Sequence, residues 1–294
     1  KEYFNDSSVS TKERYTNYAA NLFAYVNTFR PNLGVMGFTD HNYYNDGLID
    51  VIYDYSNKTS CKILCGVEIN SSGIHILVFF EKPPFAKTNF SDGIKTFLSH
   101  IGVQATKTSN VLSISDKSPT DILQIVNDQN GICIFPHCNT DNGLFQERGQ
   151  TDTTYLAQVY NKNDVIFLQT ANKESAIIVK NFIIERPDLF KSKCIFTTAS
   201  DSRCLKDIGK SDNQENYTWI KGDPIFNTLK YLEIEDKRLD LCDEPNLLKR
   251  LRNHKTKFIS SLMVNRVENV SLDDIWFDNF NLEFNSSLVA IIGN

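Results

Sequence analysis

Several absences narrow the reading of this chain before any motif is considered. No apolar run in the 294 residues reaches the roughly 18 needed to cross a bilayer as a helix. The polar opening residues carry no signal-peptide core. The seven cysteines are odd in number and include no paired spacing of the zinc-ribbon or dithiol type, so neither chemistry is expected of them. Cys61 and Cys65 fall on one face of an apparent strand, where small core side chains in a reducing, cytoplasmic setting are the expectation. Asn-x-Ser/Thr triplets at Asn57, Asn89 and Asn216 read as chance in an Asn- and Ser-rich chain. Lys and Arg total 31 against 36 Asp and Glu, a formal charge of -5, which argues against a broad nucleic-acid footprint and leaves room for a local basic patch. No segment repeats.

What is present is an alternation of short apolar runs with amphipathic ones. Hydrophobic residues make up 41% of the chain, enough for a sizeable core. Ser10 and Glu13 have capping-box spacing and predict a helix from about Thr11 to Phe29, stopped by Pro31. Leu33 to Phe38 reads as a buried strand, Asn45 to Ser56 as a helix. Lys62 to Glu68 and Ile74 to Phe80 read as two strands joined by a turn at Ser71-Ser72-Gly73. Helices are expected around Phe90 to Ile101 and from Ser118-Pro119 to Asn130. Strands follow at Ile132 to Phe135, Val165 to Gln169 and Cys194 to Thr198, with a helix at Glu174 to Glu185 between the last two. Asp223-Pro224 opens a helix through Leu232. Strands alternating with helices predict an α/β fold built on a parallel sheet or barrel.

Four strands end at or near an ionisable residue: His41, Glu68, His137 and Asp201. Imidazoles and carboxylates gathered at strand ends suit Zn²⁺, Mn²⁺ or Fe without thiolates. His75 lies within its strand, on the alternation opposite Ile74 and Ile76, where an imidazole among apolar side chains needs a partner. Glu68 and His75 flank one hairpin and could meet over one ion. His100, at a helix end, and His254, in a basic connector, are weaker candidates. Each residue alone has a structural explanation; the recurrence on successive strands is what points to one site.

The ordered set Thr39-Asp40-His41, Gly66-Val67-Glu68, Ile74-His75-Ile76-Leu77, Pro136-His137 and Ser200-Asp201-Ser202-Arg203 resembles the motif series of the polymerase-and-histidinol-phosphatase (PHP) family of metal-dependent phosphoesterases. The resemblance spans roughly residues 1–220. It implies a distorted (β/α)7 barrel with two or three Mn, Zn or Fe ions at its mouth. His41, Glu68, His75, His137 and Asp201 would be metal ligands, with Asp40 orienting or ligating and Asp6 corresponding to an early acidic ligand. Two departures stand out. The family's first-strand His-x-His is absent, so either the chain starts downstream of it or the motif is lost. Arg203 replaces the last His; a guanidinium stays protonated and cannot ligate a metal, but it can clamp a phosphate. Arg148, in the polar loop after Pro136-His137, would be a second, weaker candidate for contacting phosphate.

The C-terminal part changes character. A basic stretch, Lys249-Arg250-Leu251-Arg252, follows a charged connector, and strands with turns follow from Lys257. The expected division is 1–240 for the barrel and 241–294 for a connector and the start of another domain. Tyr217 to Pro224, with Phe226 and Leu229, is similar to the junction in proteins that fuse a PHP domain to an SMC/ABC-like ATPase. In such fusions a strand like Leu288 to Ile292 leads into a P-loop that here would begin at Gly293 and Asn294, with the phosphate-binding Gly-Lys-Ser/Thr beyond the chain. The chain is accordingly expected to be cut at both ends. The resemblance implies a nuclease or nucleotide phosphatase with nucleic acid or nucleotide as substrate, no membrane partner, and coupling to an ATPase that uses ATP and Mg²⁺. It further implies a homodimer or higher oligomer formed through that ATPase and a role in anti-phage defence. The alternative is a degenerate PHP domain serving the ATPase as a binding or regulatory module.

Overall fold

Ser10 accepts a hydrogen bond from the Glu13 amide at 3.3 Å and opens α1 (Thr11–Val26). Its buried Ala19, Leu22, Phe23 and Val26 recur at helical spacing. The helix ends before Phe29, where the Asn27 amide returns to the Phe23 carbonyl. The computed structural model describes residues 10–28, 33–41, 47–103, 114–145, 153–198, 202, 204–208, 217–253, 259, 261–265 and 280–283.

β1 (Val35–His41) and α2 (Leu48–Ser56) follow, then the hairpin β2 (Lys62–Ser71) and β3 (Ile74–Phe80). Ser72 (φ 53°) and Gly73 (φ 82°) both take the left-handed region, the combination that closes a two-residue hairpin without splaying its strands. α3 (Phe90–His100) is capped by Asn89. α4 (Pro119–Asp128) carries a full capping box between Ser118 and Asp121, with Pro119 in the first turn where its missing N–H costs nothing. β4 (Ile132–Phe135), α5 (Thr153–Tyr160), β5 (Val165–Thr170), α6 (Lys173–Ile184), β6 (Lys193–Thr198), β7 (Tyr217–Ile220), α7 (Phe226–Ile234) and β8 (Leu239–Cys242) complete this part. α7 starts later than Asp223-Pro224 suggested. The Asp223 carbonyl is taken by the Ile225 amide and the Thr228 hydroxyl, which makes a turn ahead of the helix.

Six strands form one sheet in the order β1-β2-β3-β4-β5-β6. β1 pairs with β2 in parallel, as β4 does with β5 and β5 with β6, while β3 runs antiparallel to both its neighbours. The sheet is mixed because the β2–β3 turn is too short for a parallel crossover. β7 and β8 form a separate antiparallel pair, tied to β6 through hydrogen bonds between Thr198 and Thr218. The expected seven-stranded barrel is thus represented, among the described residues, by six continuous strands and an attached ladder.

Strand alternation gives the sheet two apolar faces. The larger, with Ile63, Cys65, Val67, Ile74, Ile76, Val78, Phe80, Phe135 and Leu168, packs against α1 to α6. Cys61, Cys65, Cys133 and Cys138 are all buried, and burial pushes the Cys61 thiol up to about 11 and the Cys138 thiol up to about 12. They behave as small apolar groups. The smaller face, with Leu64, Phe79, Ile132, Phe167 and Ile195, receives Phe226, Leu229 and Leu232 of α7.

Contacts divide the chain between Asp243 and Glu244. The second unit holds, among the described residues, α8 (Asn246–Asn253) and the antiparallel pair β9 (Ser261–Val264) and β10 (Phe280–Glu283). Leu288 to Asn294, including Gly293 and Asn294 of the expected P-loop start, lies outside the described residues. No helix among the described residues is long and apolar enough to cross a membrane.

Candidate metal centre

The smaller face of the sheet changes from apolar to polar at one end. On β2 the alternation that carries Leu64 and Gly66 continues to Glu68; on β3 the same face carries Phe79, Leu77 and then His75. The antiparallel register sets Asn70 opposite His75 and Glu68 opposite Leu77, so Glu68 and His75 are diagonal neighbours on one face. His75 Nδ1 lies 2.9 Å from Glu68 Oε1, with the two side chains 12% and 20% exposed.

His137 reaches the same place by a different route. It follows β4 and Pro136 and adopts φ 34°, a left-handed conformation uncommon outside glycine and found where the surroundings enforce it. The enforcing contacts are visible. The Cys138 amide donates to the Gln169 carbonyl of β5 at 2.9 Å, and the Phe145 amide to the Cys138 carbonyl at 2.8 Å. The His137 carbonyl accepts from the Thr140 amide, and the Asn142 carbonyl accepts from the His75 amide at 2.9 Å. The turn is therefore fastened to β3 and β5 at once. The His137 ring stands edge-on to that of His75, with centroids 5.2 Å apart.

Glu68, His75 and His137 each offer one ligand atom within 4.8 Å of the others. Donors around one first-row ion bound at about 2.1 Å are separated by about 3–3.5 Å, so a small adjustment of rotamers gathers all three. Two imidazoles and one carboxylate are a donor set for Zn²⁺, Mn²⁺ or Fe²⁺, and a half-buried carboxylate beside two imidazoles gains from a cation. The residues present fit a divalent ion.

No protein-family model matches this chain, and no curated protein sequence does. Solved structures do resemble it. The lesion-specific endonuclease PfuEndoQ from Pyrococcus furiosus is similar at a TM-score of 0.48 and 14% identity, over 77% of this chain and 52% of that one. An Endonuclease Q bound to a 27-mer duplex with an abasic lesion at its active site is similar at 0.46 and 12%, over 80% and 54%. A protein of Bifidobacterium adolescentis, provisionally assigned as a metal-dependent phosphoesterase, is similar at 0.42 and 13%, over 71% and 89%. The chain spans about half the length of the two endonucleases. These values describe a likeness of arrangement; the roles of Glu68, His75 and His137 rest on this chain's own geometry.

The other expected site residues divide into two groups. The His41 backbone is paired with Glu68 in the parallel β1–β2 register. Asp40 is paired with Val67, which belongs to the larger, helix-covered face. Alternation thus sets Asp40 behind the strand, and it does not join the cluster. His100 packs against Phe85 at the end of α3, with ring centroids 5.4 Å apart. Asp6, Arg148, Asp201, Arg203 and His254 lie outside the described residues. Gln169 was not singled out from the sequence. It is only 9% exposed, it follows Val165 and Phe167 on the same alternation, and its carbonyl holds the His137 turn. A polar residue closing an otherwise apolar strand was the available signal.

Gly143 offers a test of the turn. A Cβ there would lie 2.3 Å from the His137 carbonyl oxygen and 2.7 Å from the Cys138 carbonyl carbon, both backbone atoms that cannot rotate aside. Gly143→Ala is expected to open the turn, displace His137 and lower metal affinity about tenfold to a hundredfold. The cost in unfolding free energy should be no more than about 1–3 kcal/mol. Calorimetric titration with Zn²⁺ or Mn²⁺ checks this; affinity equal to wild type would remove the turn from the account.

Proposed function

We propose that this chain is a divalent-metal-dependent phosphoesterase acting on a nucleic acid or a nucleotide. The observation that carries the reading is the convergence of Glu68 on β2, His75 on β3 and His137 in the turn after β4 onto one end of the sheet. A divalent ion held there would lower the pKa of a bound water and offset charge on a phosphoryl oxygen. Glu68 contributes the anionic donor, and its carboxylate also orients the His75 ring. His137 contributes the third donor, fixed by the turn that the Gln169 carbonyl anchors. In this reading His41 and Asp201 complete the donor set, with Asp6 a further acidic candidate. Arg203 and Arg148 contact the substrate phosphate. Asp40 acts from behind β1 by positioning its neighbour His41.

The motif resemblance at residues 217–229 and 288–294 supports a further step. Hydrolysis would be coupled to an ATPase domain whose P-loop begins at Gly293 and Asn294, a homodimer or higher oligomer dependent on ATP and Mg²⁺ and serving anti-phage defence in the cytoplasm. Arg203 in the place of the family's last His favours a second reading, a PHP-like module without hydrolysis; gain of hydrolysis in Arg203→His would support it.

Elemental analysis of the purified protein, paired with hydrolysis of bis(p-nitrophenyl) phosphate before and after chelation, tests the main reading. Bound Mn, Zn or Fe and hydrolysis that disappears on chelation and returns with metal are expected. Hydrolysis undiminished in metal-free protein would overturn it.

A further inference from the structure

The chain is acidic overall, yet residues 246–257 contain five cations and no acid: Lys249, Arg250, Arg252, Lys255 and Lys257. The first three lie on α8. At helical spacing Asn246, Lys249, Arg250 and Asn253 occupy i, i+3, i+4 and i+7 and share one face. Leu247, Leu248 and Leu251 take the other. Arg252 is engaged elsewhere: its guanidinium meets Glu244 at 2.8 and 3.2 Å, a two-pronged pair that neutralises it. Lys249 and Arg250 form no ion pair among the described residues, and Arg250 is exposed.

We propose that the Asn246, Lys249, Arg250 and Asn253 face of α8 binds the phosphate backbone of a nucleic acid. The inference rests on the phosphoesterase reading, which makes a phosphodiester chain the natural polyanion for this protein. Two consecutive cations, with an amide donor about one helical turn away on either side, offer charge to neighbouring phosphates and hydrogen bonds to the sugars and bases between them. A membrane surface is the competing anion. It would require the leucine face to enter the lipid, but α8 spans only Asn246–Asn253 and offers three leucines with no Trp or Phe, a short apolar face for insertion at an interface. Favourable interaction with the helix C-terminus explains one cation in the last turn and does not explain the flanking asparagines. The contact supplies affinity without sequence preference.

The test compares the full chain with its K249Q/R250Q variant, which keeps helix propensity and removes the charge. Binding of a fluorescein-labelled DNA duplex is measured as a function of salt. Two lost phosphate contacts should make the plot of log affinity against log salt shallower by about 1.8. Affinity near 0.1 M salt should fall about tenfold to a hundredfold. Arg252→Gln, with its partner in Glu244, should leave the slope unchanged within about half a unit. Single Lys249→Ala and Arg250→Ala variants should each remove about half of the double variant's effect. Hydrolysis of bis(p-nitrophenyl) phosphate should be the same in all of them. An unaltered slope and affinity in the double variant overturns the proposal, as does wild-type protein that binds no DNA. Binding to phosphatidylserine vesicles that is lost in the variant while DNA binding persists overturns it in favour of a membrane. Loss of the small-substrate activity on chelation tests the phosphoesterase reading separately. A protein that binds DNA through α8 but hydrolyses nothing would sink that reading and leave this one standing.

Discussion

Glu68→Gln is expected to yield a folded protein that retains little metal and hydrolyses bis(p-nitrophenyl) phosphate about a thousandfold more slowly, a loss of about 4 kcal/mol in transition-state stabilisation. The substitution keeps the side chain's volume and removes only its charge. The described cluster is then left with two imidazoles, their centroids 5.2 Å apart, and no anionic donor, a weaker site for a divalent ion. His75 also loses the anionic partner 2.9 Å away that orients its ring. The backbone of Glu68 stays in the β1–β2 and β2–β3 ladders, so cooperative unfolding of the metal-free protein should hardly change. His100→Ala is the matched control. It removes an imidazole that sits against Phe85 at a helix end, and it should keep both metal and rate. Normal metal content together with a normal rate in Glu68→Gln would remove Glu68 from the centre and the main reading with it.

Why the sequence led to Glu68 and His75 but not to their support has a physical explanation. A strand's side chains alternate with period two, so a His between Ile74 and Ile76 had to face away from the core they enter, and the short turn at Ser72-Gly73 had to bring it back beside Glu68. Those are local facts, visible in a single chain. Capping signals were equally local, and Ser118-Pro119 opens α4 as expected. His137 is different. Its left-handed backbone belongs to a turn fastened by the Cys138–Gln169 and Asn142–His75 hydrogen bonds, between residues far apart in the chain, which no window of sequence contains. Asp40 pairs with Val67 and lies on the helix-covered face of the sheet, a placement that follows from strand alternation once the register is known. The fill of the smaller sheet face was also hidden. Phe226, Leu229 and Leu232 lie on the helix expected after Asp223-Pro224, and nothing nearby in sequence shows that their partners are Leu64, Phe79 and Phe167.

Gly66 is where fold and site depend on the same few atoms, and Gly66→Ala should damage both. Gly66 pairs with Phe79 across the β2–β3 ladder and with Thr39 across β1–β2. A Cβ on Gly66 would stand 2.0 Å from the Val78 carbonyl oxygen and 2.8 Å from the edge of the Phe79 ring. The ring could swing away. The carbonyl cannot, because it is main chain in the middle of the sheet. The ladder must therefore separate just two residues before Glu68. Overpacking of a buried site costs about 1–3 kcal/mol, and a main-chain collision belongs at or above the top of that range. A loss of about 3 kcal/mol lowers the midpoint of thermal unfolding by about 6–12 °C in a domain of this size. Gly37 provides the contrast. Its missing Cβ would lie 2.9 Å from the tip of the same Phe79 ring and meets no main-chain atom within that distance, so Gly37→Ala should cost about 1 kcal/mol. Trimming the ring separates the two cases. Phe79→Leu should restore most of what Gly37→Ala loses relative to Phe79→Leu alone, and almost none of what Gly66→Ala loses. Metal affinity should follow the same order, falling with Gly66→Ala because Glu68 is displaced with its strand. Equal rescue of both glycine variants by Phe79→Leu would show that the ring, and not the Val78 carbonyl, is what requires a glycine at position 66.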